Sequence, residues 1–197
     1  VRPFLRDWAA ARQDRVTLLE NDRNLGFIGS VNKGLKEALN RGDHVVLLNS
    51  DALVPQAWAS RLIRPIVSQD HVASVTPMSN DAEIFTVPEI CRRTVLDPGQ
   101  GDAIDAVARR VSHDAPLPEA PTGVGFCMGL NIAYLRKLPR LDERFGRGYG
   151  EEVDWCQKAR ALGGRHLALR GRKLRLRGKT RPGSEEQPDH RGALSGL

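Results

Sequence analysis

The clearest strand pattern in the sequence is the run His44–Asp51, H-V-V-L-L-N-S-D. Its four apolar residues follow one another without polar alternation, which is typical of a strand buried on both faces in a parallel sheet covered by helices. The run then turns polar at Asn49, Ser50 and Asp51. Ligands of open α/β sheets bind beyond the carboxyl ends of the strands, so this turn is a candidate site.

Asp51 is the acid of that turn, and two interpretations of it stay open. A carboxylate is a hard oxygen ligand, suited to Mg²⁺ or Mn²⁺ that holds a diphosphate. Asparagine, serine and aspartate are also ordinary turn residues, so Asp51 could instead cap the turn that leads into Ala52–Pro55.

Three elements are predicted before this run from the spacing of apolar residues. They are a helix over Phe4–Arg12, a strand over Val16–Glu20, and a helix over Phe27–Leu39 that Gly42 ends. In the first helix, Phe4, Leu5 and Trp8 are expected to face inward. A strand, a helix and a strand joined by short turns form a βαβ unit, which predicts parallel strands with a right-handed crossover.

Further helices and strands are predicted after the run, and Pro residues punctuate an excursion between Glu83 and Glu119. The elements are a helix from Pro55 to about Val67, a strand over Val72–Val75, a helix over Gly101–Val111, a helix from Glu151 to Leu162 and a strand over His166–Leu169. The glycines between Pro121 and Tyr134 predict strand bending or close backbone approach to a ligand. The fold class is therefore α/β, with a mostly parallel central sheet flanked by helices.

A second cluster of acids, Glu151, Glu152 and Asp154, opens the predicted helix at Glu151. Acids there are stabilised by the helix dipole, so capping is one interpretation. At about 100° per residue, however, Glu152 lies at the head of the apolar face formed by Trp155, Cys156, Ala159 and Leu162, and the other two acids turn away from it. Burial would raise the pKa of Glu152, as a general base requires.

Composition limits the class of protein to which this chain can belong. The chain of 197 residues is 40% hydrophobic and 27% charged, as expected of one globular domain. No apolar run approaches the ~20 residues of a membrane span, no signal peptide is evident, and three widely spaced cysteines favour reduced thiols in the cytoplasm.

The net charge of +6 is concentrated toward the end of the chain, since residues 165–181 carry eight Lys or Arg and no acid. We expect a domain over residues 1–170 and a basic, irregular tail over 171–197. Such a tail can contact anionic lipid at the inner face of a membrane. Charge balance elsewhere and an aromatic content of 5% argue against a nucleic-acid partner.

Five segments in order resemble glycosyltransferase family 2, inverting enzymes of the GT-A fold, and in particular its rhamnosyltransferase-like branch. They run from Asn24 to about Leu169: N-L-G-F-I-G-S-V-N-K-G, V-V-L-L-N-S-D, V-T-P-M-S-N, P-T-G-V-G-F-C-M-G and F-G-R-G-Y-G-E-E-V-D-W-C-Q-K-A-R-A-L-G. The resemblance implies a transferase that moves a sugar from a nucleotide-sugar donor to the hydroxyl of a glycan or lipid-linked acceptor, in polysaccharide or glycan synthesis.

The resemblance also implies site residues. Asp51 would bind the divalent metal, Mg²⁺ or Mn²⁺, and Glu152 would be the general base, supported by Glu151, Asp154 and Trp155. The remaining implied contacts are Asn24, Gly26, Asn32, Asn49, Ser50 and Asp51 on the donor side and Thr122 and Gly123 on the acceptor side.

The sequence departs from the family in ways that leave an alternative open. Asn49 stands where the family has an acid, and Glu152 stands where Asp is commoner. The strand, helix and strand with which the family begins have no counterpart here. The alternative is therefore a truncated or non-catalytic GT-A fragment that cannot bind the donor.

Overall fold

A computed structural model describes residues 2–108, 110, 116–146 and 148–176, with only the backbone described for 170–176. The predicted tail beyond residue 176 lies outside the described residues. Helices are α1 (Arg2–Ala10), α2 (Gly26–Arg41), α3 (Trp58–Ser68), α4 (Gln100–Ala108), α5 (Ile132–Leu135) and α6 (Glu151–Ala161). Strands are β1 (Val45–Leu48), β2 (Ala52–Leu53), β3 (Val72–Ser79), β4 (Glu119–Ala120), β5 (Cys127–Leu130) and β6 (Arg165–Leu176).

The strands form one sheet in the order β1-β5-β3-β6-β2, with β4 also paired to β6. Strand β5 is antiparallel to both β1 and β3, whereas β3 and β6 pair in parallel. Strands β2 and β4 are antiparallel to β6. Hence β1, β3 and β6 run in one direction, and their carboxyl ends lie at the same edge of the sheet.

The α/β class with a central sheet flanked by helices is confirmed, but the prediction of a mostly parallel sheet is wrong. The reversed strand β5 lies between β1 and β3, so these two strands share a direction without pairing. An apolar run indicates burial and carries no information on the direction of the neighbouring strand.

Strand β1 is not the central strand that its apolar run predicted. It pairs with β5 on one side, and no strand of the described residues pairs with its other side. Three of its residues are half-buried and Leu48 is 40% exposed. The predicted strand over Val16–Glu20 does not form, so the βαβ unit expected around α2 is also wrong.

Helix α1 forms where it was predicted, but its apolar residues do not face inward. Phe4 is 68% exposed and Trp8 42% exposed, whereas Ala9 is buried. Helical spacing predicts that an apolar face exists, but it does not identify the surface that covers that face.

The predictions for the other elements are largely confirmed. Helix α2 buries Ile28 and Leu35 and ends at Gly42, whose left-handed backbone (φ 77°) lets its N–H donate to the carbonyls of two residues in the last turn. Helix α3 begins at Trp58 rather than at Pro55. Strand β6 is longer than predicted and continues past residue 170, where we had expected the domain to end.

The core consists of two apolar layers on either side of the sheet. One layer, with α3, includes Leu62, Ile66, Val75, Phe85 and Leu167. The other, with α2, α5 and α6, includes Ile28, Leu35, Met128, Leu135 and Trp155. Both faces of β3 are therefore covered, and seven of its eight residues are buried. Among the described residues, no helix has the length and hydrophobicity that crossing a bilayer requires.

Buried polar contacts join α6 to the sheet. The Nε2–H of His166 donates to the carbonyl of Cys156 (2.9 Å), so its Nδ1 accepts from the hydroxyl of Ser74 (2.7 Å). Gly164, between α6 and β6, leaves no room for a side chain, because a Cβ there would lie 2.8 Å from the carbonyl oxygen of Ala159 and 2.8 Å from the Cβ of Ala73.

We predict that Gly164→Ala lowers the free energy of unfolding by about 1–3 kcal/mol, the usual range for overpacking a core. The matched control is Gly34→Ala in α2, where no atom lies within 4 Å of the added Cβ. Replacing the helical Gly34 by Ala should raise the free energy of unfolding by roughly 0.5–1 kcal/mol. Urea unfolding of both variants measures the difference, and equal effects would contradict the packing at Gly164.

We also predict that His166 makes the fold sensitive to acid. Burial lowers the pKa of His166 below its ordinary value of 6.5, although the bond to the Cys156 carbonyl opposes this shift. As the pH falls below 6.5, the unfolded chain takes up a proton that the folded chain excludes, so stability is lost. His166→Gln should remove this loss in urea unfolding measured at several pH values, and His71→Gln, at an exposed histidine, should retain it. An identical pH slope in His166→Gln and the parent would contradict the prediction.

Candidate active site

The turn after β1 lies at the edge where β1, β3 and β6 end. It is closed by a backbone bond from the Ala52 N–H to the Asn49 carbonyl (3.1 Å). The Asn49 N–H donates in turn to the Phe126 carbonyl (2.8 Å), which ties the turn to the segment that leads into β5. A groove of about 270 Å³ runs along α2 and β1, and its lining includes Phe27, Asn49 and Gly125.

Asp51 is partly buried in this turn, next to the exposed Ser50. Within the described residues, no hydrogen bond or ion pair engages the Asp51 carboxylate, so the capping interpretation has no bond to support it. No three His, Cys, Asp or Glu side chains of the described residues lie close enough to hold a metal. A single free carboxylate fits Mg²⁺ or Mn²⁺ only if phosphate oxygens and water supply the other ligands, as is usual for Mg²⁺.

The glycine-rich segment before β5 lies between this turn and the acids of α6. A Cβ at Gly125 would be 3.7 Å from the Oε1 of Glu152 and 3.7 Å from the Cζ of Phe27. Since Phe126 bonds Asn49, the first turn of α6 and the turn after β1 border the same short segment. The expectation of close backbone approach to a ligand at these glycines stays a prediction.

Gly123, an expected acceptor-side residue next to Thr122, contacts α6 directly. Its N–H donates to the Sγ of Cys156 (3.2 Å), one helical turn after Glu152. A Cβ at Gly123 would lie 2.8 Å from both Sδ and Cε of Met128, so glycine allows this approach. The contact of Cys156 with Gly123 could not be predicted, because an isolated cysteine on an apolar face indicates packing alone.

The three acids of α6 have different surroundings. Glu151 is 3% exposed, Glu152 is half-buried, and Asp154 pairs with Lys158 at 2.6 Å. One carboxylate oxygen of Glu151 and one of Glu152 are buried without a hydrogen-bond partner in the described part of the chain. The helix begins after Gly150 (φ 106°), with no side-chain cap. All three acids lie in the first turn, where the helix dipole stabilises negative charge.

The prediction that Glu151 turns away from the buried face of α6 is wrong. Glu151 lies one turn before Trp155, which is 1% exposed and donates its Nε1–H to the Leu138 carbonyl (2.9 Å). Leu162, expected on the same face, is 46% exposed. The buried arc is displaced toward Glu151 because the Gly148–Gly150 segment folds over the first turn. A Cβ at Gly148 would lie 3.7 Å from the Oε1 of Glu151.

Burial raises the pKa of Glu151 above its ordinary value against the effect of its own backbone N–H, and the charge of Glu152 raises it further. Burial likewise raises the pKa of the Cys156 thiol, against the hydrogen bond from Gly123. The thiol thus stays protonated at neutral pH, which suits a packing contact and not a nucleophile.

The residues expected on the donor side along α2 have internal partners. The Oδ1 of Asn24 accepts from the Gly26 N–H (2.8 Å) at the start of α2. The amide of Asn32 donates to the Leu141 carbonyl (3.0 Å) and accepts from the Leu141 N–H (2.8 Å). These bonds hold α2 in place beside the groove, and a direct contact of either asparagine with a nucleotide stays a prediction.

Comparison with known proteins agrees with this architecture. No curated protein sequence matches the chain. A crystal structure of GalNAc-T7 with UDP, GalNAc and Mn²⁺ is similar in fold, with a TM-score of 0.62 and 16% identity over 88% of this chain. The chain covers 34% of that protein. The family model for glycosyl transferase family 2 matches residues 2–138, more than half of the sequence. The chain therefore belongs to glycosyl transferase family 2.

Proposed function

We propose that the chain transfers a sugar from a nucleotide-sugar donor to an acceptor hydroxyl with inversion at the anomeric carbon. The observation that carries this proposal is the meeting of two sets of groups at one sheet edge. The turn containing Asp51 and the acids at the start of α6 both border the segment Gly125–Phe126. A donor diphosphate at the turn and an acceptor hydroxyl at Glu152 would then lie on either side of the reacting carbon.

Glu152 is proposed as the general base. It takes the proton of the acceptor hydroxyl as that oxygen bonds to the anomeric carbon. The bond from this carbon to the donor phosphate breaks on the opposite face, and its electron pair leaves with the nucleoside diphosphate. Attack opposite the leaving group inverts the configuration. The half-buried carboxylate of Glu152 lies near Gly125, which lines the groove, and this proximity supports the assignment.

Asp51 is proposed to hold the divalent cation with diphosphate oxygens and water. A cation there would offset the charge of the leaving diphosphate as a Lewis acid. The fold neighbour was crystallised with UDP and Mn²⁺, which supports this choice of ligands. The partly buried Asp51 carboxylate has no partner among the described residues, so no internal bond must break when it binds.

The acceptor is proposed to be a glycan or a lipid-linked glycan, bound on the side of Thr122 and Gly123. Work on the cytoplasmic face of a membrane, in polysaccharide synthesis, is part of this proposal. Its support is the basic sequence near the end of the chain, where residues 165–181 carry eight Lys or Arg.

Calorimetry with UDP, GDP and dTDP, each with and without Mn²⁺, tests donor binding by the full chain. We expect one nucleoside diphosphate to bind more tightly with Mn²⁺. Absence of binding by all three would overturn the proposal for this chain. It would favour the alternative of a GT-A fragment that cannot hold a donor.

We predict that Asp51→Asn abolishes the Mn²⁺-dependent gain in affinity for that nucleotide and leaves stability within about 0.5 kcal/mol of the parent, since the carboxylate has no internal bond to lose. Asp43→Asn, at the amino end of β1, is the matched control and should bind like the parent. Equal Mn²⁺ dependence in Asp51→Asn and the parent would refute the metal assignment.

We predict that Glu152→Gln lowers turnover by ~10²-fold or more, the scale of losing a general base, and leaves nucleotide affinity near that of the parent. Turnover is measured as nucleotide release from the donor in the presence of acceptor. Glu151→Gln and Asp154→Asn should have smaller effects. A severe Glu151→Gln with a mild Glu152→Gln would move the base to Glu151, and three mild variants would end the catalytic interpretation of α6.

A further inference from the structure

Two neighbouring carboxyl groups lie at the start of α6, where Glu151 is buried and Glu152 is half-buried. Glu151 is 3% exposed, and both Glu151 and Glu152 have an oxygen that is buried and without a hydrogen-bond partner among the described residues. Two adjacent carboxylates in such a place repel each other and have lost hydration, so ionising both is strongly unfavourable.

Lys158 and Arg144, the described cations nearest to the pair in sequence, are bound to other acids. On α6, Lys158 pairs with Asp154 at 2.6 Å, and in the preceding segment Arg144 pairs with Asp142 at 2.7 Å. Tyr149, the ionisable residue of the covering glycine segment, is 92% exposed. The described residues that pack against Glu151 therefore supply no positive charge to offset a second negative one.

The two carboxyl groups are adjacent in the chain, and each has one buried oxygen that lacks a donor among the described residues. A proton on one of them would supply a donor for the other. Glu151 is the more deeply buried of the two and is covered by Gly148, whereas Glu152 faces the segment at Gly125. The proton is therefore more favourable on Glu151, where a charge would be least hydrated.

We propose that the pair carries one proton at neutral pH, and that Glu151 holds it and donates it to the carboxylate of Glu152. The position of the proton does not depend on the proposed function, but its consequence for sugar transfer rests on that function. In sugar transfer, Glu151 would be a positioning residue that orients the ionised Glu152 and keeps it free to accept the proton of the acceptor. Different environments for two adjacent acids are a common way to divide such roles.

Infrared spectroscopy of the full chain at neutral pH tests where the proton lies. The C=O stretch of a protonated carboxyl group is separate from the bands of carboxylates. We expect this band in the parent and in Asp154→Asn, and its loss in Glu151→Gln. Absence of the band in the parent, or its loss in Glu152→Gln with retention in Glu151→Gln, would overturn the proposal.

Unfolding as a function of pH provides a second test that needs no substrate. The unfolded Glu151 ionises near its ordinary pKa of 4.5, whereas the folded one keeps its proton to higher pH. The contribution of Glu151 to the free energy of unfolding is therefore fully present below pH 4.5 and is lost as the pH rises through the folded pKa. Glu151→Gln should melt higher than the parent at neutral pH, and this advantage should vanish in acid. An advantage independent of pH would contradict the proposal.

Turnover separates positioning from simple packing. Glu151→Gln keeps a donor for Glu152 and should stay within a few-fold of the parent, whereas Glu151→Ala should lose about tenfold or more, since hydrogen bonds to charged groups are strong. Equal turnover in the two variants would refute the positioning role. If Glu152→Gln were fully active but the infrared band behaved as expected, the proton assignment would stand and the proposed transfer would fail.

Discussion

The close approach at Gly164 is the constraint on which the candidate site depends. At this residue the chain turns from α6 into β6 against Ala73 of β3, and its N–H donates to the Ala159 carbonyl (2.9 Å). The next residue is fixed as well, since the Arg165 N–H donates to the His71 carbonyl (2.7 Å). Because the helix is rigid, anchoring its end on the sheet sets the depth of its first turn, where Glu151 and Glu152 lie.

The same packing imposes an electrostatic penalty on that first turn. Trp155 and Cys156 are completely buried, so the residues one turn earlier are drawn toward the interior. A helix selected for stability alone would have apolar residues there, because a buried carboxyl without a partner destabilises the fold. Unfavourable burial of polar groups is found at functional sites, where stability and activity conflict. The burial of Glu151 is the clearest such conflict among the described residues.

The sequence was sufficient to predict elements whose signals are local. The spacing of Ile28 and Leu35, the left-handed Gly42 and the apolar start of β3 each indicate one conformation through nearby contacts. The resemblance to family 2 and the fold class were confirmed for the same reason, since motifs in order are local signals too.

Features that depend on distant partners were not predictable. The prediction of parallel strands was wrong because β5, about eighty residues after β1 in the sequence, inserts beside it. The prediction that the apolar face of α1 points inward was wrong because apolar spacing does not specify a covering surface. Within the site, a rotation of about 100° per residue predicted Glu152 on the buried face of α6 and Glu151 away from it. The prediction for Glu151 was wrong, since the covering segment Gly148–Gly150 lies outside the helix and shifts the buried arc.

The surroundings of the acids give a physical reason for assigning them different partners. Asp51 is partly open to solvent and has no bonds to other described residues, so it can bind an ion that keeps part of its hydration shell. Glu151 and Glu152 lie beneath glycine segments, and the neighbouring Lys158 and Arg144 are paired elsewhere. A proton is therefore the counter-charge that we propose for this pair. The openness of Asp51 and the burial of Glu151 thus support the roles we propose, with a diphosphate's cation at Asp51 and proton transfer at the α6 pair.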